Sequence, residues 1–242
     1  MGRFDSQTRQ RTFKAAIAGG IAFTLLTTAA MLVYPGGTRQ TPQTDHYLFA
    51  NNFFSDLGRT QDFEGNSNLT CMLLFGTALA ITGCTTVALF FVLPDLFQTD
   101  RRSKILSYAI TAFGLLAGIG FLGVAFTPWD LFLSQHDFCV NLGFRCLLLA
   151  CMCAMINVYG TDSFPNRYGH LLVVVCLILL GYILLLAFGP STSTPGGLMV
   201  QVGGQKVVAY VLIGGITLLA LGALRVEHQT AVDSATLVDS TT

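Results

Sequence analysis

The sequence predicts an all-α membrane protein: a bundle of six transmembrane helices, both termini cytoplasmic, with a long structured first outer loop. Three observations carry this. Residues of the AVILMFWYC set make up 52% of the 242 residues and charged residues only 11%, less than half the roughly 25% found in an ordinary soluble domain. Six apolar runs, near 15–34, 70–93, 105–127, 140–159, 171–188 and 207–224, match the ~20 residues that cross a hydrocarbon core about 30 Å thick. They do not alternate as barrel strands would. Finally, twelve of the thirteen basic residues are sorted by position, with Arg145 inside a run. Arg3, Arg9, Arg11, Lys14, Arg101, Arg102, Lys104, Arg167 and Arg225 fall on one side, and only Arg39, Arg59 and Lys206 on the other. Basic residues stay cytoplasmic, so both termini are placed there. A net charge of zero argues against a nucleic-acid partner held by phosphate neutralisation.

Residues 1–14 read as a cytoplasmic segment. Their opening Met1–Gly2–Arg3 fits the bare myristoylation pattern, but the bulky basic residue after the glycine favours chance. The first run exceeds the ~7–15 residues of a signal peptide and has no small-x-small cleavage site, so it reads as a retained helix. The membrane domain then spans 15–224. Its first outer loop, 35–69, is long enough to be structured or functional. Phe49, Phe53 and Leu57 at spacings of four predict a short amphipathic helix over 45–58, with Gly58 as its stop. In the third run Gly118–Gly123 spells G-x-G-x-x-G. Without a preceding strand it is a small-residue packing face, shared with Gly114. Thr127–Pro128–Trp129–Asp130 ends that helix at the interface, where tryptophan is favoured.

The fourth helix is the most informative. Ser134–Asp137 has the form of a capping box, and Asp137, Asn141 and Arg145 share a face. A charge inside the hydrocarbon costs about 2.5–3.5 kcal/mol on insertion scales, so Arg145 is expected to face the bundle interior and pair with Asp56. Residues 189–204 read as a plain loop and 225–242 as a flexible cytoplasmic tail. The seven cysteines form no disulfide framework, although Cys71 and Cys139 both lie near the outer surface and allow one bridge. Asn68–Leu69–Thr70 is a glycosylation sequon abutting a span. Cys151 and Cys153, two apart on a helix, cannot share an ion, and no zinc motif joins His46, His136, His170 and His228. No cofactor or metal is expected.

Asn52–Phe53–Phe54–Ser55–Asp56–Leu57–Gly58 resembles the Ser-Asp-Leu-Gly signature in the first outer loop of the DUF 998 membrane proteins. Gly123–Asp130 followed by His136 is a further likeness, and the related Frag/DRAM/Sfk-like proteins are similar in layout. The resemblance covers roughly 15–224 and implies a six-helix protein of lipid handling or membrane organisation. It singles out Ser55, Asp56, Gly58, Asp130 and His136, and implies no reaction.

These readings lead to a non-catalytic protein of the cell membrane with an outer-leaflet polar pocket for a lipid headgroup or a partner membrane protein. The pocket is expected from Ser55, Asp56, Asp130, His136, Asp137, Asn141 and Arg145. The alternative is an intramembrane hydrolase or acyl-transfer enzyme using Ser55, Asp130 and His136, although no Gly-x-Ser-x-Gly elbow surrounds the serine. A small-solute transporter, the third reading, lacks a polar route through the bare fifth helix.

Overall fold

The computed structural model describes residues 3–97, 100–162 and 164–239, with side chains as far as Ala231. Among these residues its regular secondary structure is all helical, with no strand beyond an isolated bridge between Gln61 and Ser67. Six helices are long and apolar enough to cross a membrane, so the chain is a multi-pass membrane protein. They are α1 (Ser6–Val33), α2 (Leu69–Val92), α3 (Arg101–Phe126), α4 (Leu133–Tyr159), α5 (Asn166–Phe188) and α6 (Pro195–Asp239).

Each helix packs on its neighbours in sequence, and α6 packs on α1, so the bundle closes as a ring. The ring is tightest where side chains vanish. A Cβ at Gly120 would stand 2.6 Å from the backbone nitrogen of Gly143, and one at Gly118 only 2.8 Å from Gly83 O. Backbones of α3 therefore touch those of α2 and α4 directly, as the glycine pattern predicts.

Ion pairs close the end of the bundle that carries the termini. Arg9 reaches Glu227 through two bonds, Nη2 to Oε1 at 2.7 Å and Nε to Oε2 at 2.8 Å, tying the start of α1 to α6. Arg3 meets Asp95 at 3.0 Å. Asp5 and Asp100 cap α1 and α3, accepting from the amides of Thr8 and Ser103, as short polar residues do at helix starts.

Several expectations are corrected. Helix α6 begins at Pro195 rather than beyond 204, and runs to Asp239 where a tail was expected from 225. Thr194 Oγ1 accepts from Gly197 N and Pro195 supplies the fixed φ of a first helical residue. Val226–Asp239 contains neither Gly nor Pro to stop the helix. In α4 the first helical residue is Leu133, so Ser134 lies inside the helix and no capping box forms. The helix expected over 45–58 shrinks to the 3₁₀ turn Phe54–Gly58. Asn52 is the cause: its Oδ1 accepts from Leu48 N at 2.9 Å, replacing a backbone partner with a side chain. Gly58 is no left-handed stop, since positive φ occurs only at Gly36, Gly37 and Gly65 among the described residues. A Cβ there would instead strike the Phe75 ring, at 2.8 Å.

All seven cysteines are free, so Cys71 and Cys139 are not bridged. Cys71 is buried with Sγ 3.3 Å from Ala30 O, while Cys139 packs against Gly123 on α3.

Candidate functional site

The 34–68 connection folds down onto the opposite end of the bundle and is held there by buried polar groups. Asp56, 1% exposed, is the centre. Its Oδ2 accepts from Phe53 N at 2.8 Å and from Asn52 Nδ2 at 3.2 Å, while Oδ1 has no partner. Burial raises the Asp56 carboxyl above its ordinary value, against the opposing pull of those two N–H donors. Asn52 Nδ2 also donates to Gly37 O at 2.8 Å. Lys206 on α6 donates from Nζ to Asn52 O and sits 4.9 Å from the ring centre of Phe49, 5.3 Å from Tyr47 and 5.7 Å from Phe54.

A second anchor ties this connection to the α3–α4 hairpin. Asp130 Oδ2 accepts from Thr60 Oγ1 at 2.7 Å and from the amides of Thr60 and Gln61 at 2.9 and 3.3 Å. Asn68 is buried, with Nδ2 donating to Arg59 O and Leu57 O. The sequon is thus closed to a glycan and acts as a fastener. Arg39 and Arg59 both lie over the Trp129 ring, at 4.8 and 4.4 Å. All three basic residues at this end are therefore engaged by aromatic faces, an attraction of about 0.5–2 kcal/mol each.

Beneath the connection the ring leaves a narrow, half-open cavity of about 90 Å³. This is below the ~300–1,000 Å³ of small-molecule sites, so the cavity as it stands is a slot rather than a wide pocket. Its polar groups come from Ser55, His136 and Gln205, near the connection, and from Thr82 deeper in. Gln205 Oε1 accepts from Phe54 N at 2.7 Å, setting the roof on the wall. Thr82 donates back to Ala78 O in its own helix. Leu147 and Ile216 line the cavity eleven residues below His136 and Gln205, about 16 Å along each helix. The remaining lining is apolar, and no charged side chain lines the cavity among the described residues.

His136 is buried on α4 with Nδ1 2.7 Å from Thr127 O. A carbonyl only accepts, so Nδ1 carries the hydrogen and Nε2 is the open acceptor of the neutral ring. Ser55 Oγ has no hydrogen-bond partner among the described residues.

The structure thus brings together only part of the expected set. Ser55 and His136 line one cavity, and Asp56 and Asp130 fasten its cover. The expected Arg145–Asp56 pair does not form. Arg145 and Asp137 are exposed on the outer surface of α4, and Asn141 bonds Asp137 O beside them. The physical reason is the close α3–α4 contact through Gly120 and Gly143, which at the depth of Arg145 leaves the buried face of α4 to Gly143, Cys146 and Leu147. Nor does Asp130 orient His136, because its bonds go to Thr60 and Gln61 and a backbone carbonyl holds the ring.

Lys206, Gln205 and Asn52 were not among the site residues the sequence predicted. The signal was present in Thr194–Pro195, a cap followed by a first-turn proline, which would have extended α6 backward over both Gln205 and Lys206.

The class defined by this geometry is a multi-pass helical membrane protein with an apolar cavity in one half of the bundle. Compared with known proteins, the chain matches no family model, no curated protein and no solved structure.

Proposed function

We propose that this chain is a non-catalytic lipid-binding protein of the cell membrane, with both termini cytoplasmic and the 34–68 connection outside. The carrying observation is the cavity: apolar for about 16 Å, polar at the end nearest the connection, and free of charged lining side chains. That depth is about half of a hydrocarbon core, the reach of one leaflet. An uncharged polar group, a hydroxyl or an ester carbonyl, suits Ser55, His136 and Gln205, since a buried ionic headgroup would lack a partner. This reading replaces an anion held by Arg145. The nine-to-three distribution of basic residues supports the orientation, and the likeness to DUF 998 proteins agrees with a role in lipid handling.

The test is native mass spectrometry of gently extracted protein against Ala209→Trp and Val124→Phe, two changes that fill the cavity. Wild type is expected to retain a neutral lipid that both variants lose. Equal lipid retention in folded variants sinks the proposal.

A second reading rests on Ser55 and His136 lining the same space. An acyl ester placed there would meet a hydroxyl and an imidazole whose Nε2 is open, the elements of acyl transfer. Hydrolysis of a monoacylglycerol by purified protein, lost in both Ser55→Ala and His136→Phe, would favour it. No turnover above buffer rejects it.

A further inference from the structure

We propose that the half-open cavity between the start of α5 and the 222–230 stretch of α6 is a binding site for a phosphate group, carried by an anionic lipid of the adjoining leaflet or by a soluble phosphate.

The cavity measures about 480 Å³, within the ~300–1,000 Å³ of small-molecule sites, and lies at the end of the bundle that carries the termini. Arg167, from the first turn of α5, and Arg225, from α6, both line it, together with Tyr168, Gln229 and Thr230. The buried Tyr168 ring rests on α6 where Gly222 leaves room, since a Cβ there would stand 2.4 Å from it. Both arginines fall at the depth of lipid headgroups. The apolar run of α6 ends at Leu224, directly before Arg225, and that of α5 begins at Leu171, four residues after Arg167.

These two cations have no counter-charge of their own. Neither guanidinium makes an ion pair or hydrogen bond among the described residues, and Arg167 has only the Tyr168 ring, its centre 5.1 Å away. The nearby Glu227 is committed to Arg9, and Asp95 to Arg3. Asp162 lines the cavity but bonds neither arginine, so two positive charges share one space with one negative. Like charges that share a site disfavour one another unless an opposite charge joins them.

The start of α5 points to an anion independently. Its N-cap is Pro165, no side chain caps it, and its first turn holds no acidic residue. Tyr168 N turns back to Pro165 O at 3.0 Å, leaving the amides of Asn166 and Arg167 without a partner among the described residues. A 23-residue helix that begins in this way presents free N–H groups and the positive end of its dipole. The planar fork of arginine matches two phosphate oxygens, and a basic recess between membrane helices suits a phosphate-bearing headgroup. This site lies at the opposite end from the cavity under the 34–68 connection, so it stands whether or not that cavity holds a lipid.

The test is isothermal titration calorimetry of the full chain in dodecyl maltoside, with dioctanoyl phosphatidic acid and inorganic phosphate as separate probes. At least one probe is expected to bind saturably. Arg167→Gln and Arg225→Gln should each weaken it about ten-fold, because hydrogen bonds to charged groups are the strong ones. Both residues are exposed, so the variants should melt with wild type. The double variant Arg101→Gln/Arg102→Gln removes two charges at the same end but outside the cavity, and should keep the wild-type affinity. Tighter binding of phosphatidic acid assigns the site to a lipid headgroup, and equal affinity for the two probes assigns it to a soluble phosphate. Absence of saturable binding by either probe, unchanged affinity in both cavity variants, or an equal loss in the Arg101/Arg102 variant overturns the proposal.

Discussion

Replacing Asp56 with alanine should loosen the cover of the cavity. The substitution leaves Phe53 N and Asn52 Nδ2 without the carboxylate oxygen that both now share. Each stranded buried donor costs about 1–3 kcal/mol, so the combined loss is about 2–6 kcal/mol. At about 2–4 °C per kcal/mol for a chain of this size, the melting midpoint falls by on the order of 10 °C. Asparagine keeps an acceptor oxygen in the same place and should restore most of the loss. The pH dependence follows from the raised carboxyl. A group that binds its proton more tightly when folded stabilises fully below its unfolded value, 3.8, and the contribution is lost as pH rises through the folded value. Wild type should therefore lose stability from this group above about pH 4, and Asp56→Asn should flatten that slope. The assay is thermal unfolding in mild detergent, read by a maleimide dye on Cys71, which is 1% exposed beneath the connection. An Asp56→Ala midpoint within about 1 °C of wild type, or an Asn variant as damaged as the Ala variant, refutes the reasoning.

Other outcomes follow from the same geometry. Lys206→Met removes the donor to Asn52 O and should speed Cys71 labelling at constant temperature, while leaving the cysteines on α4 as protected as before. Arg9→Met or Glu227→Met should each cost about 1–3 kcal/mol by stranding a partly buried partner, and the double variant should recover much of it; a double-mutant cycle checks the coupling. Gly120→Leu should prevent folding, because even a Cβ meets the Gly143 nitrogen at 2.6 Å, whereas Gly181→Leu, with nothing within 4 Å, should fold normally; size-exclusion profiles separate the two.

The number and order of the helices were legible because apolar length is a property of the chain alone. Glycine spacing likewise announced the close contacts of α3. The site was legible only in part. Ser55 and His136 belong to one cavity, yet their convergence depends on how the 35-residue connection 34–68 folds over the ring. That fold is decided by Asn52, Asn68 and Asp130, most of whose partners are backbone groups that leave no mark in residue type. Arg145 was misplaced for a related reason. A charge in a span avoids hydrocarbon, but Arg145 lies only about five residues inside the nearer end of the apolar run 140–159, so its side chain can reach the interface instead of the bundle interior. Lys206 was assigned to a loop because the Gly-rich stretch before it hid a helix start.

The central claim is that the cavity under the 34–68 connection holds the chain of a neutral lipid. Photolabelling with oleyl alcohol carrying a diazirine near its methyl end tests it most directly. Peptide mapping should place the label on Leu147, Leu212 and Ile216 in wild type, and Ala209→Trp should abolish it. Label confined to outward residues such as Leu177 and Leu186, with the same yield in Ala209→Trp, would contradict the account.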